Sequence, residues 1–155
     1  MLKRIKYYSK HTKCETYFTI TGNFNVDDIT AILDLEPFES WNINDKKKKG
    51  KGNYAFSRWS YGLCEEYDVE TSKMMEKTLE NLFEKKEELK KIKDEFEDIY
   101  YCLEVVPTVR EDEPTPILSP SMKVMQWCAE TETNIDYDLY VSTSEESIDD
   151  YTVEL

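Results

Sequence analysis

Residues 15–41 read ETYFTITGNFNVDDITAILDLEPFESW, and the punctuation of this stretch decides the fold. Tyr17, Thr19 and Thr21 alternate with Phe18 and Ile20, so a strand over Glu15–Gly22 turns one set to each side of a sheet. Thr, Tyr, Phe and Ile are all good strand formers. Gly22-Asn23 breaks that strand. Asn25 then predicts a helix N-cap, with Asp27 and Asp28 in the first turn, where carboxylates favour the helix dipole. Ile29, Ile32 and Leu33 supply a helical apolar stripe. Leu35-Glu36-Pro37 ends the helix, because the residue before a proline is pushed out of helical space.

Working outward, a short second strand is predicted over Ser40–Ile43. The polar stretch Asn44–Asn53 follows, with five lysines and two glycines, and its composition predicts an exposed loop. A third strand covers Tyr54–Tyr61. One long helix is predicted over Thr71–Glu97, with Met75, Leu79, Leu82, Leu89, Ile92 and Phe96 on one face and Lys86 interrupting it. The next strand, Ile99–Val106, is apolar on both faces apart from Glu104, which predicts a central position, and Pro107 is expected to end its pairing. After the acidic loop Val109–Pro116, Ser119 is expected to cap a short helix with Pro120 at its first position. A last strand over Ile135–Ser142 places Ile135, Tyr137, Leu139 and Val141 on one side and Asp136, Asp138 and Tyr140 on the other. The order is β-α-β-β-α-β-α-β. Its first six elements predict a ferredoxin-like split β-α-β core in the α+β class, extended by the final helix and strand. The sheet should be mostly antiparallel, with the helices on one face. Residues 1–143 read as a single domain, and 144–155 as an acidic tail with five acids and no base.

A chain of 155 residues can bury one core. Its net charge of −13 argues against nonspecific nucleic-acid binding, since phosphates are repelled; it would favour a basic protein partner, although solubility alone is the favoured reading of the acidity. Arg occurs only at positions 4, 58 and 110, so bidentate phosphate forks are scarce. No stretch is apolar enough to span a membrane, and the N-terminus has no secretory h-region. Cys14, Cys64, Cys102 and Cys128 are scattered singly, without metal-type spacing, so the reading is reduced thiols in a cytoplasm.

The segment opening at Glu15 resembles a bacterial domain-of-unknown-function family, number 4279. The resemblance is carried by Ile20-Thr21-Gly22, Asp28-Ile29-Thr30, Ile32-Leu33, Glu36-Pro37 and Trp41. Further on it is carried by the Trp-bearing strand Tyr54–Trp59, by Leu118-Ser119-Pro120 and by Asp136–Tyr140. It covers roughly Thr12 to Val141. The lysine-rich loop departs from the family's pattern, which more often has arginine and glycine there, and the acidic tail lies outside it. The resemblance implies an α+β fold and brings no activity with it.

No P-loop, nucleophile elbow, Rossmann glycine pattern or HExxH is present, so no catalytic residue, metal ligand or cofactor is predicted. His11, the only histidine, reads as a surface residue, and Cys102 as a small buried hydrophobe. Asp136 and Asp138 should project about 7 Å apart from one strand face, where they could hold a metal or serve acid/base chemistry. With no His or third carboxylate predicted nearby, the favoured reading is a solubilising pair. Glu65, Glu66, Asp68 and Glu70 lack the glycine and alternation of a calcium loop. Lys46–Lys51 could attract a phosphate as point charges, and a solvated loop is the favoured reading. Trp41, Arg58 and Trp59 are the binding candidates, because Trp and Arg are the residue types that most often anchor interfaces. Trp59, in a strand rich in small residues, also reads as core. The expectation is a non-catalytic cytoplasmic binding protein, in its sharpest form an immunity-type protein that neutralises a toxin through an acidic surface. The alternative is a small-ligand sensor with a Trp/Tyr-lined pocket. A hydrolase using the Asp136/Asp138 face ranks third.

Overall fold

The computed structural model describes residues 11–67 and 70–142. Six strands form one sheet: β1 (Lys13–Asn23), β2 (Glu39–Trp41), β3 (Ser57–Glu66), β4 (Glu97–Arg110), β5 (Thr133–Tyr137) and β6 (Tyr140–Ser142). Their spatial order is β2-β3-β1-β4-β5, with β6 also paired to β4. The first four pair antiparallel, while β5 and β6 run parallel to β4. The fold is therefore α+β with a mostly antiparallel sheet. β3 lies between β1 and β2, so the first β-α-β unit is split, and the last helix and strand extend the sheet beyond β4.

Four helices cover one side: α1 (Val26–Leu33), α2 (Thr71–Leu79), α3 (Lys86–Glu95) and α4 (Met122–Thr131). α1 forms as its letters dictate. The Asn25 side chain accepts the Asp27 N–H at 3.0 Å, and Asp34, in a left-handed conformation (φ 53°), terminates it ahead of Pro37. Phe18, Ile20, Trp59, Tyr101 and Leu103 carry the sheet's buried side. Against them pack Ile29 and Leu33 of α1, Met74, Met75 and Leu79 of α2, Leu89 and Ile92 of α3, and Val124 and Trp127 of α4. No described helix is long and apolar enough to cross a membrane.

Polar bonds fasten the helices where apolar contact alone would let them slide. The Thr16 and Thr78 hydroxyls lie 2.7 Å apart and share their two protons between each other, the Met74 carbonyl 3.2 Å from Thr16 and the Gly62 carbonyl 2.9 Å from Thr78. α2 thus lies directly on β1 and β3. Gly62 makes the approach possible: its φ is +70°, and a Cβ there would fall 2.5 Å from the Thr78 carbonyl oxygen.

Several boundaries differ from expectation, each for a physical reason. The single helix over 71–97 is two. The chain leaves α2 at Leu79 through tight turns and restarts at Lys86, which lets Leu82 drop fully into the core. The Leu82 carbonyl accepts the Lys85 N–H at 3.0 Å in that turn and also the Trp127 indole N–H at 3.2 Å. β4 continues through Pro107 to Arg110 instead of stopping at Val106. The Val105 carbonyl points to the β5 side, accepting the Asp138 N–H at 3.0 Å, and residues two apart point the same way. The nitrogen of Pro107 therefore faces the gap between β5 and β6, where no ladder bond is needed. That gap, at Asp138-Leu139, also breaks the predicted strand 135–142 in two and leaves Leu139 and Val141 about half exposed. β2 sits at Glu39–Trp41, slightly earlier than expected. β3 lies later than Tyr54–Tyr61, because the long ladder with β1 carries it to Glu66. Ser121, not Ser119, caps α4, accepting the Val124 N–H at 3.3 Å. The acidic tail 144–155 lies outside the described residues.

Candidate functional site

All four helices meet the side of the sheet that bears Phe18, Trp59 and Tyr101. The other side carries the alternate residues, and register places them in rows. Trp41, Arg58, Thr21 and Tyr100 form one row across β2, β3, β1 and β4. Glu39, Ser60, Thr19, Cys102 and Asn134 form the next, and Tyr17, Glu104 and Asp136 the next. No described helix packs on these rows.

Arg58 organises the face. Its Nε donates to the Ser60 hydroxyl at 3.1 Å. Its guanidinium carbon lies 5.6 Å from the Trp41 ring centre and 6.0 Å from that of Tyr17, within reach of a cation–π interaction with both. Nη2 stands 3.9 Å from a Glu104 oxygen, an ion pair beyond hydrogen-bond length. Trp41 stacks on Tyr54 (4.3 Å, 14°) and donates its indole N–H to the Phe56 carbonyl at 3.1 Å. The Phe38 ring meets Tyr17 edge-on at 5.8 Å.

The opposite end of the face is acidic. Glu104 is half-buried, and burial raises its pKa above the ordinary carboxylate range; Arg58 opposes that rise, and Asp136 and Asp138 add to it. Burial, then Glu104 and Asp136, push the Cys102 thiol up to about 12. Cys14 is raised to about 12 and Cys128 to about 11, in both cases chiefly by burial, and all four thiols are free and buried. Such thiols are poor nucleophiles. Asp136 lies on β5, whereas Asp138 lies just past its end, bonded by the Tyr140 hydroxyl. His11 is bonded to Glu113 at 2.9 Å, far from this face in the chain's layout. Among the described residues no three His, Cys, Asp or Glu side chains converge at metal-binding distance.

The lysine-rich segment is an ordered hairpin extension at the aromatic end, not a free loop. The Asn44 N–H donates to the Tyr54 carbonyl and the Tyr54 N–H to the Asp45 carbonyl, both at 2.9 Å. Lys46 bridges Asn53, and Lys47 N–H reaches the Gly52 carbonyl at 3.2 Å. Ser57 anchors the base, donating to the Phe24 carbonyl at 2.6 Å and accepting the Ile43 N–H at 2.8 Å.

The structure thus brings Trp41 and Arg58 together. It places Trp59, the third sequence candidate, on the other side of the sheet, fully buried, with its indole donating to Thr30 at 3.1 Å, so it takes no part in the face. Tyr17, Tyr54 and Glu104 were missed as site residues. Alternation in β1 already separated Tyr17 from Phe18, but only register shows what stands opposite it. The stacked Trp41 and Tyr54 rings form a platform. An open depression of about 490 Å³ beside α1 is lined by residues such as Asp27, Asp34 and Pro37.

Residues 12–142 match a domain of unknown function, DUF4279. The chain belongs to this family. No curated protein and no solved structure matches it. Within this DUF4279 chain, the letters that carried the resemblance are mostly architectural: a cap, a core stripe and a helix stop. Thr21, Trp41, Arg58 and Asp136 are among those that lie on the face no described helix covers.

Proposed function

We propose that this chain is a non-catalytic binding protein that takes a basic protein partner on the face of its sheet that no described helix covers, and that it acts as an immunity-type protein neutralising a toxin. The observation that carries this reading is the β4–β5 end of the face. Glu104, Asp136 and Asp138 gather there, Arg58 at 3.9 Å is the described cation nearest in the ion-pair network, and Tyr100 stands half exposed beside them. Carboxylates next to an exposed aromatic fit a partner that brings lysine or arginine, and the net charge of −13 would speed its approach. The four free thiols fit a reducing compartment, and we place the protein in the cytoplasm.

The test is capture from native lysate with the wild-type chain and with Asp136→Lys. The expected result is a basic protein recovered by the first and lost by the second. Recovery of no basic protein, or equal recovery by both, overturns the reading. A second reading, a small-ligand sensor, is favoured by the gathering of Trp41, Tyr17 and Tyr54 around Arg58. A thermal-shift screen against nucleotides and metabolites that gives no stabilisation would end it.

A further inference from the structure

The five lysines of the hairpin, Lys46 to Lys49 and Lys51, pair with no carboxylate among the described residues. Every other described lysine or arginine except Lys123 forms an ion pair, and Lys123 lies over the Phe83 ring. In a chain with 33 acids against 20 bases, a carboxylate partner is easily supplied, yet these five cations have none. They stand on an ordered hairpin that is joined to Arg58 through the Trp41 and Tyr54 rings. The link is continuous: the guanidinium lies 5.6 Å from the Trp41 ring, Trp41 stacks on Tyr54 at 4.3 Å, and the Tyr54 hydroxyl accepts the Lys48 N–H at 3.5 Å.

We propose that the β2–β3 end of the sheet, comprising the lysine hairpin and the Arg58 fork, is a binding site for a compact polyphosphate ligand. Arg58 is pre-organised for it. Ser60 holds Nε, and Trp41 and Tyr17 flank the guanidinium, so little side-chain freedom is left to lose on binding. Glu104 stands 3.9 Å from Nη2, an ion pair beyond hydrogen-bond length. A lone carboxylate would engage one or two of these cations. A di- or triphosphate carries enough charge in a small volume to engage several, with lysines as mobile point charges and arginine as the planar fork. A long polyanion such as nucleic acid is disfavoured, because it would also run past the acidic remainder of the surface. A compact ligand answers chiefly to charges within about 8 Å at physiological salt. This proposal rests on the sensor reading and gives it a ligand class; the basic-partner reading uses the acidic end of the face and stands apart from it.

The experiment is isothermal titration of the full chain with ATP and, separately, with inorganic tripolyphosphate, without divalent metal, at low and at physiological salt. Two variants are carried alongside: one with Lys46, Lys47, Lys48, Lys49 and Lys51 all changed to Ser, and Arg58→Lys. Both ligands should bind the wild type, more weakly as salt rises. The hairpin variant should lose about tenfold or more in affinity, and Arg58→Lys, which keeps the charge and loses the fork, several-fold. Equal affinity for the two ligands assigns the site to the polyphosphate alone, and tighter ATP assigns a nucleotide whose base adds stacking on the aromatic platform. Absence of heat with both ligands overturns the proposal, as does wild-type affinity in the hairpin variant. The hairpin side chains are exposed, so that variant folds even if Arg58→Lys does not. Other metabolites stabilising the chain in the thermal screen would keep the sensor reading while this ligand class failed.

Discussion

Arg58 and Trp59 are neighbours on β3 and look into opposite halves of the molecule. On the Trp59 side the polar atoms are few and each is used: the indole bonds Thr30, Tyr101 donates to the Leu89 carbonyl at 2.7 Å, and Thr16 and Thr78 bond each other. On the Arg58 side the same sheet carries rings, a guanidinium and carboxylates with capacity left over, such as a fork and an ion pair stretched to 3.9 Å. The helix side is saturated, while the side that no described helix covers keeps rings and charges at its surface. A sheet that needed its second face only for solubility could use short polar residues there. This one spends two large rings on holding a single arginine still, which is how a surface is kept ready for a partner.

That contrast can be broken most sharply by truncating one ring on each side. Phe18→Ala removes a fully buried ring that touches Tyr101 and Trp127, and should cost about 3–5 kcal/mol. Trp41→Ala removes a half-exposed ring from a stack and should cost about 1 kcal/mol. Urea unfolding with an unchanged slope measures both. Equal costs would mean that the uncovered face is as structural as the core.

Next in size is the seam between α2 and the sheet. Gly62→Ala sets a Cβ against the Thr78 carbonyl at a positive φ, and should destabilise by more than about 1 kcal/mol, read from the same transition. A smaller loss would show that α2 can lift off β3 without consequence.

The saturated side was the more legible in sequence. Asn25, the Ile29–Ile32–Leu33 stripe and the alternation of β1 each report local physics, so α1 and β1 could be read from neighbouring letters. Trp127 could not, because its indole bonds the carbonyl of Leu82, in the turn where the long helix breaks. The uncovered face is legible only in part for the same reason. Arg58 and Trp41 stood out by residue type, whereas Tyr17 and Glu104 join them through pairing across β1, β3 and β4, and a single sequence does not display register. The composition of 44–53 announces its exposure, but its ordering comes from bonds to Tyr54 and Ser57 that spacing does not announce.

A subtler probe is Glu104. Its folded pKa is raised by burial, so the native state holds this proton more tightly than the unfolded chain does. Its contribution to stability is therefore fully present below the unfolded carboxylate pKa and is lost as pH rises through the folded one. Arg58, Asp136 and Asp138 all face it, and the first opposes the shift while the other two enlarge it. Glu104→Gln should leave stability nearly unchanged at acid pH and gain on the wild type as pH climbs toward neutrality. Melting temperatures of the two chains across that range decide it. A gap that narrows with rising pH would show that attraction to Arg58 outweighs burial.

The smallest effect belongs to the lysines. Replacing the five hairpin lysines with Ser removes no ion pair, and the backbone bonds that order the hairpin involve none of their amines. The expected change in unfolding free energy is within about 0.5 kcal/mol, the range of ordinary surface substitutions. Its direction should be slightly unfavourable, because the chain becomes still more negative and repels itself more. A loss well above that range would give the lysines a structural duty, such as holding the acidic surface together through the field they create. A near-zero change removes that explanation. Five like charges would then be kept side by side against their mutual repulsion, with stability giving no reason for it, and an anionic partner would be the account that remains.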